Sequence, residues 1–274
     1  MENLVPLVLL SNDDGVTSPG IHALEMSLRE IGEIFVVAPD RERNAAGHSI
    51  TLGQPLYVEQ LGPKRFSVTG TPTDCVNLAI HRILPRRPDL VVSGINKGGN
   101  LAEDVTYSGT VAGALEARIL GIDSFAISVV SHRDFIFESA AIVSVQLAKW
   151  ILSNRLPKGI FLNVNVPNLH PDALGSMKLT RLGRKLYGDF TQESLDDNGR
   201  PCFRFGRDDM HFVEDDGCVE ETDWKAVGEG FVSVTPIRLD MTDEESLETL
   251  RKRWDSGGMP FGESRIHQGT EKDA

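Results

Sequence analysis

The sequence predicts an α/β fold: a Rossmann-like, mostly parallel sheet with helices on both faces, followed by a C-terminal β-hairpin and helix extension. Three observations carry this. Short apolar runs alternate with helix-period segments over the first 170 or so residues, which is the grammar of right-handed βαβ units. Runs such as "LVPLVLL" and "DLVVSGI" are continuously apolar, as strands covered on both faces are. From about Gly175 the pattern changes to extended segments punctuated by turn residues.

The elements follow in order. Residues 5–11 read as the first strand. "PGIHALEMSLREIG" carries Ile21, Leu24, Leu28 and Ile31 at helical spacing, with Pro19 near its start and Gly32 past its end. "EIFVVAPD" is a second strand. "PLYVEQ" and "RFSVTG" form a β excursion, and "TPTDCVNLAIHRIL" is a helix with Pro72 in its first turn. "DLVVSGIN" and "SFAISVV" are strands flanking the small-residue helix "SGTVAGALEARILG". A long helix over 134–153 precedes the strand "GIFLNVNVP". Beyond it "MKLTRLGRKLYGDF", "PCFRFG" and "GFVSVTPI" are extended, with "DDNGRP" as a turn. A last helix over 242–254 has Thr242 and Glu245 spaced as a capping box, with Leu247 and Leu250 as its apolar edge. The expected organisation is an α/β catalytic core over 1–174, an extended oligomerisation segment over 175–255 that completes the fold, and a disordered tail over 256–274.

Composition bounds the function. A net charge of −12 over 274 residues excludes a nucleic-acid polymer as an expected partner, and a protein this acidic that handles phosphate is expected to recruit a cation. Three cysteines without CxxC spacing point to a reducing compartment. No basic leader and no long apolar segment points to a membrane, so the expected location is the cytoplasm.

The chemistry concentrates where strands end. "LVLLSNDDGVTSPG" places Asp13 and Asp14 side by side at the carboxyl end of the first strand, where ligands of open α/β sheets bind. Neighbouring side chains on a strand point to opposite faces, so two acids converge only if the chain leaves the strand there, as Gly15 and Ser18-Pro19-Gly20 allow. Two such carboxylates repel unless a hard cation lies between them. Asn12, Asp13 and Asp14 could equally cap the next helix and fill a turn. Asn44, after "APDRER", and Asn96, in "SGINKGGN", each offer a neutral carbonyl oxygen at the same edge. Ser108, Gly109 and Thr110 open a helix and present free N–H groups to an anion, or cap it. His48 could protonate a leaving oxygen or merely bond backbone, and Arg41, Arg43 and Lys97 could screen phosphate. Cys75, His22 and His81 read as structural, and "EDDGCVEETD" as solvated surface. GxGxxG and GxxxxGK[ST] are absent, which disfavours a dinucleotide binder and an ATPase.

"SNDDGVTSPG", "VVAPDRERNAAGHSIT", "GTPTDCV", "VSGINKGGN" and "YSGTVAGALEA", in this order, closely resemble the SurE family of stationary-phase survival proteins over roughly residues 5–255. The resemblance implies a metal-dependent 5′-nucleotidase that hydrolyses nucleoside 5′-monophosphates to nucleoside and phosphate. It implies one divalent cation per subunit (Mg²⁺, Mn²⁺ or Ca²⁺) held by Asp13, Asp14, Asn44 and Asn96, with Asp13 and Asp14 catalytic and Ser108, Gly109 and Thr110 on the phosphate. It also implies a homodimer or homotetramer with exchanged C-terminal elements. Family members often carry Ser where this chain has Asn44, which keeps an oxygen ligand with a longer reach. Two alternatives stay open: a broader phosphatase acting on 3′-nucleotides or short polyphosphate, and a non-catalytic nucleotide-binding module.

Overall fold

A computed structural model describes residues 5–187, 191–205, 210–213 and 221–258. They fall into two compact units that divide between Leu239 and Asp240.

The first unit is built on a nine-stranded sheet, in the order β3-β4-β2-β1-β5-β6-β7-β13-β8. Its central strands are β1 (Leu7–Ser11), β2 (Glu33–Pro39), β4 (Arg65–Val68), β5 (Leu90–Lys97), β6 (Ser124–Val130) and β7 (Ile160–Pro167), all parallel to one another. The edge strand β3 (Val58–Gly62) runs antiparallel to β4. On the other side β13 (Val232–Arg238) runs antiparallel to β7 and carries β8 (Met177–Leu179).

The continuous apolar runs are explained by helices on both faces. On β1, Val8 and Leu10 pack with Ile21, Leu24 and Leu28 of α1 (Pro19–Leu28) and with α4 (Phe137–Asn154). Leu7 and Leu9 face the other way, onto Cys75 and Val76 of α2 (Pro72–Leu78) and Ala117 of α3 (Gly109–Ile119). All four apolar side chains of β1 are fully buried, each worth about 1.5–3 kcal/mol relative to exposure. Cys75 is buried core as its pattern implies, whereas His22 and His81 are exposed.

The boundaries depart from the sequence reading in three places. The helix after Thr71 is α-helical only to Leu78 and continues as one π turn, Ala79–Ile83; its cap is Thr71 with Asp74. The extended region forms two small antiparallel sheets. In one, β10 (Thr191–Leu195) pairs with β11 (Pro201–Phe205); in the other, β9 (Lys185–Tyr187) pairs with β12 (Met210–Phe212). The acidic run is not all solvated surface: Asp223, which opens α5 (Asp223–Gly228), is fully buried and accepts from the N–H groups of Ala102, Gly183 and Trp224, while residues 214–220 lie outside the described ones.

In the second unit α6 (Glu244–Arg253) is capped by Asp243, whose carboxylate accepts from Ser246 N at 3.0 Å. The expected Thr242–Glu245 box is therefore corrected by one residue: aspartate at the cap position meets the same free N–H groups. Leu250 is exposed, and one π turn over Trp254–Gly258 follows. The rest of the tail, 259–274, lies outside the described residues.

Candidate active site

Strand order reverses between β1 and β5: β2 lies to one side of β1 and β5 to the other. The crevice at the carboxyl ends of these two strands is the topological switch point, where open α/β sheets bind ligands. Asp13 and Asp14 follow β1 there, and Asn96 is the penultimate residue of β5.

Neither acid caps the following helix. The cap of α1 is Ser18, whose Oγ accepts from Ile21 N at 3.4 Å. Buried Asn12 holds that turn in place, its Nδ2 donating to Gly15 O at 3.0 Å and Ser18 Oγ at 2.8 Å. Asn12 thereby does the local structural work and frees the two carboxylates.

Asp13 is 5% exposed. Its Oδ1 accepts the Thr110 hydroxyl at 2.5 Å, and its carbonyl accepts Arg43 N at 2.7 Å. The start of α3 presses against it: a Cβ on Gly109 would lie 2.8 Å from Asp13 Cβ. Burial pushes the Asp13 carboxyl up to about 6; the Thr110 hydrogen bond opposes this and the Asp14 charge adds to it. Asp14 accepts Lys97 N at 3.3 Å and stands 3.6 Å from Lys97 Nζ. Burial raises its pKa too, Lys97 pulls it back, and the nearby Glu42 carboxylate pushes it up again.

The other expected residues are placed as follows. Asn96 donates its amide to Gly98 O at 2.8 Å, and Asn44 donates to Glu42 Oε1 at 2.5 Å, so each is oriented by its nitrogen and keeps Oδ1 available. Among the described residues no hydrogen bond joins either amide to the acid pair. They sit beside it through chain neighbours, Asn96 next to Lys97 and Asn44 next to Arg43. Ser108 caps α3, accepting Val111 N at 3.1 Å. The Thr110 hydroxyl is committed to Asp13 and fully buried, so Thr110 offers an anion its backbone amide only.

Of the cations considered, Lys97 belongs to the acid pair. Arg43 instead pairs with Asp40 at 3.0 Å and donates to Thr69 O, and Arg41 is exposed. His48 turns its Nε2 to Glu116 Oε2 at 2.9 Å, and Asn77 donates to the other oxygen at 2.8 Å. Burial alone would raise the Glu116 pKa; the hydrogen bonds from His48 and Asn77 outweigh it and hold the group below its ordinary value. This contact lies two turns along α3 from Ser108, and it ties down the loop that carries Asn44. Three more contacts do the same: Gly47 N to Tyr107 O at 3.1 Å, Thr71 Oγ1 to Ser49 O at 2.8 Å, and Thr51 Oγ1 to Asp74 at 2.7 Å. His48 is a positioning group in this geometry. Glu42 and Glu116 are the residues that the sequence reading misses, and Asn12 enters it only as part of a capping turn. Only Glu42, inside the charged run "DRERN", carried a local signal.

The residues fit a hard divalent cation. Two adjacent buried carboxylates face a single ammonium group, and burial, with the Asp14 charge adding to it, holds the Asp13 pKa up. The remaining donors are neutral amide oxygens, the ligand type such cations accept. Among the described residues no group of three or more His, Cys, Asp or Glu is arranged for a metal, so a cation here depends on two acids and neutral oxygens.

A parallel α/β sheet with a buried acid pair at its switch point, facing a helix N-terminus, is the arrangement of an α/β protein that binds its ligand at the carboxyl ends of its strands. Comparison with known proteins narrows the class. The survival protein SurE family profile matches residues 8–189. A protein named 5′-nucleotidase SurE from Geobacter sulfurreducens is 46% identical over 93% of this chain and 98% of its own. One of the same name from Geotalea uraniireducens is 45% identical over 90% and 98%. The crystal structure of SurE protein from Aquifex aeolicus superposes with a TM-score of 0.79 at 42% identity, covering 91% of this chain and all of its own. The chain belongs to the SurE family.

Proposed function

We propose that this chain is a 5′-nucleotidase whose reaction centre is the crevice between β1, β5 and α3. It removes phosphate from nucleoside 5′-monophosphates. The observation that carries the location is the buried Asp13–Asp14 pair set against the first turn of α3. Asp13, Asp14, Asn44 and Asn96 would hold one Mg²⁺, Mn²⁺ or Ca²⁺ ion. When bound, such a cation neutralises charge that develops on the phosphate. The acid pair plus a divalent ion is about neutral, which lets a phosphate dianion approach an acidic protein. The Gly109 and Thr110 amides and the Ser108 hydroxyl cradle the phosphate at the positive end of α3. Asp13 or Asp14 positions the attacking water as base. The test is phosphate release from a panel of nucleoside 5′-monophosphates with and without chelator. Undiminished release in chelator would remove the cation from the mechanism.

Ser108→Ala separates capping from catalysis. As a cap alone its loss costs about 1 kcal/mol of stability. On the proposed reading kcat/KM also falls roughly ten-fold or more, each ten-fold being about 1.4 kcal/mol. Kinetics and melting measured on the same preparation distinguish the two roles.

The acid pair also sets a pH signature. The Asp13 carboxyl rises from 3.8 to about 6 on folding. Between these values the folded chain keeps a proton that the unfolded chain has released, so stability falls as pH rises through that window. Above it the full cost, about 3 kcal/mol, is in place. A cation held by the pair removes that cost. Divalent cations are therefore expected to raise the melting temperature more near pH 7.5 than near pH 5 in scanning fluorimetry. Equal shifts would argue against the pair as the binding site.

The assembly is a homodimer or homotetramer joined through the region of β9 to β12. The β10–β11 hairpin pairs with no other strand among the described residues, and a lone hairpin is marginal in water. Leu186, Leu195 and Phe203 are each more than half exposed there. Light scattering at micromolar concentration is expected to give a multiple of the chain mass. Free Cys75 and Cys202 support a reducing compartment, the cytoplasm. Among the described residues no helix is long and apolar enough to cross a membrane.

A further inference from the structure

We propose that a second anion site, for a phosphorylated small molecule, lies at the end of the sheet opposite the acid pair. A cavity of about 350 Å³ opens there, among the segments that lead into β5, β6 and β7. That volume lies within the range of small-molecule pockets, about 300–1,000 Å³, and exceeds what a bare phosphate ion fills.

Its lining is cationic in a chain of net charge −12: Arg87, Arg118, Arg155 and Lys158 against Asp89 and Asp123. Both acids are already committed. Asp123 accepts Arg118 at 3.0 Å and Arg155 at 3.4 Å, and Asp89 accepts Arg86 at 2.9 Å and Leu7 N at 2.8 Å. Arg87 and Lys158 have no carboxylate partner among the described residues. A third feature points to a missing acceptor. Arg118 Nε is buried without a hydrogen-bond partner, and a buried donor left unsatisfied costs about 1–3 kcal/mol.

The helix ends nearby do not account for this. The C-termini of α3 and α4 border the cavity and would attract cations. Several carbonyls of their last turns, however, already accept from the chain: Glu116 O from Leu120 N, Ala117 O from Ile122 N, Arg118 O from Gly121 N, and Ile151 O from Arg155 N. Gly121 shapes the rim. With φ of +76° it turns the chain, and a Cβ there would come within 3.2 Å of Arg87 Nη2, so glycine leaves the guanidinium room. Two unpaired cations and one orphaned guanidinium N–H around a roomy cavity match a phosphate dianion carrying an organic group. At the amino ends of the strands the occupant is remote from Asp13 and Asp14. It binds without reacting, so a substrate or product of the enzyme could modulate it from this site.

The test uses the full chain carrying Asp14→Asn in chelator, so that bound nucleotide is not turned over. AMP and inorganic phosphate are titrated by calorimetry into this protein and into the same protein with Arg87→Ser and Lys158→Ser. These two side chains are exposed, and in the otherwise unaltered enzyme the pair of substitutions is expected to leave the melting temperature and the basal turnover at low substrate unchanged. The expected result is one binding event weakened ten-fold or more for both probes. Unchanged affinity for both would overturn the site, and weakening for AMP alone would overturn phosphate as the recognised group. Crystals soaked in tungstate give a direct check: anomalous density is expected in the cavity, and density confined to the β1–β5 crevice would overturn the proposal.

Discussion

Replacing Asp14 by asparagine is expected to abolish phosphate release and to leave the fold intact. The exchange keeps size and shape and removes one charge. Among the described residues Asp14 is held by Lys97 alone, through a 3.3 Å hydrogen bond from its backbone and an ammonium at 3.6 Å. Burial disfavours its ionised form, so neutralising it does not cost the folded state a strong ion pair. The melting temperature of the cation-free protein should hold or rise slightly. Activity behaves differently, because the proposed cation loses half of its formal anionic support. Removing a single preorganised electrostatic contact typically costs 10²–10³ in turnover. A charged ligand should cost at least as much, roughly 4 kcal/mol in barrier. Steady-state kinetics and calorimetric titration with Mg²⁺ and Mn²⁺, run together, check both halves. Loss of activity with unchanged cation affinity would assign Asp14 to base catalysis instead.

The architecture was readable because its determinants are local. Leu7, Val8, Leu9 and Leu10 form an uninterrupted apolar run, and such a run at a parallel strand requires cover on both faces; α1 and α2 supply it from opposite sides. Pro19 and Pro72 mark helix starts by their fixed φ and missing N–H, and both sit in first turns. What escaped was contact across the chain. Whether Asp13 and Asp14 cap the next helix depended on Asn12 reaching Ser18, and sequence alone does not say which of several polar neighbours takes the cap. The Thr110 hydroxyl meets a carboxylate 97 residues away, so its direction follows from how α3 packs on β1 rather than from "SGT" itself. His48 and Glu116 are 68 residues apart, and neither is unusual in its own segment. Asp223 sits in an acidic run whose composition signals solvent. Three backbone N–H groups from Ala102, Gly183 and Trp224 make its burial tolerable, and no pattern within the run reveals them.

Gly109→Ala is expected to damage catalysis far more than stability. The added methyl would lie 2.8 Å from Asp13 Cβ and 2.9 Å from its Oδ2. These atoms have little freedom to retreat. Asp13 is 5% exposed, and its carboxylate is bonded to the fully buried Thr110 hydroxyl one residue along the same helix. Either the first turn of α3 lifts away from β1, or the Asp13 side chain rotates off Thr110. Overpacking of this kind costs about 1–3 kcal/mol. Alanine returns roughly 0.5–1 kcal/mol of that by its better helix propensity, so the net change in stability is small. The site has no such compensation. Both ways of relieving the clash alter the spacing between the acid pair and the amides proposed to hold phosphate, and misplacement by about 1 Å is enough to cost 10²-fold in rate. A fall of about 100-fold in kcat/KM, with a melting shift of a few degrees, is the expected outcome. Gly228→Ala provides the control, because a Cβ there meets nothing within 4 Å, and it should leave the kinetics unchanged. Wild-type kinetics in the Gly109 variant would mean that α3 can yield at its first turn without disturbing the reaction centre. The close approach to Asp13 would then be packing alone.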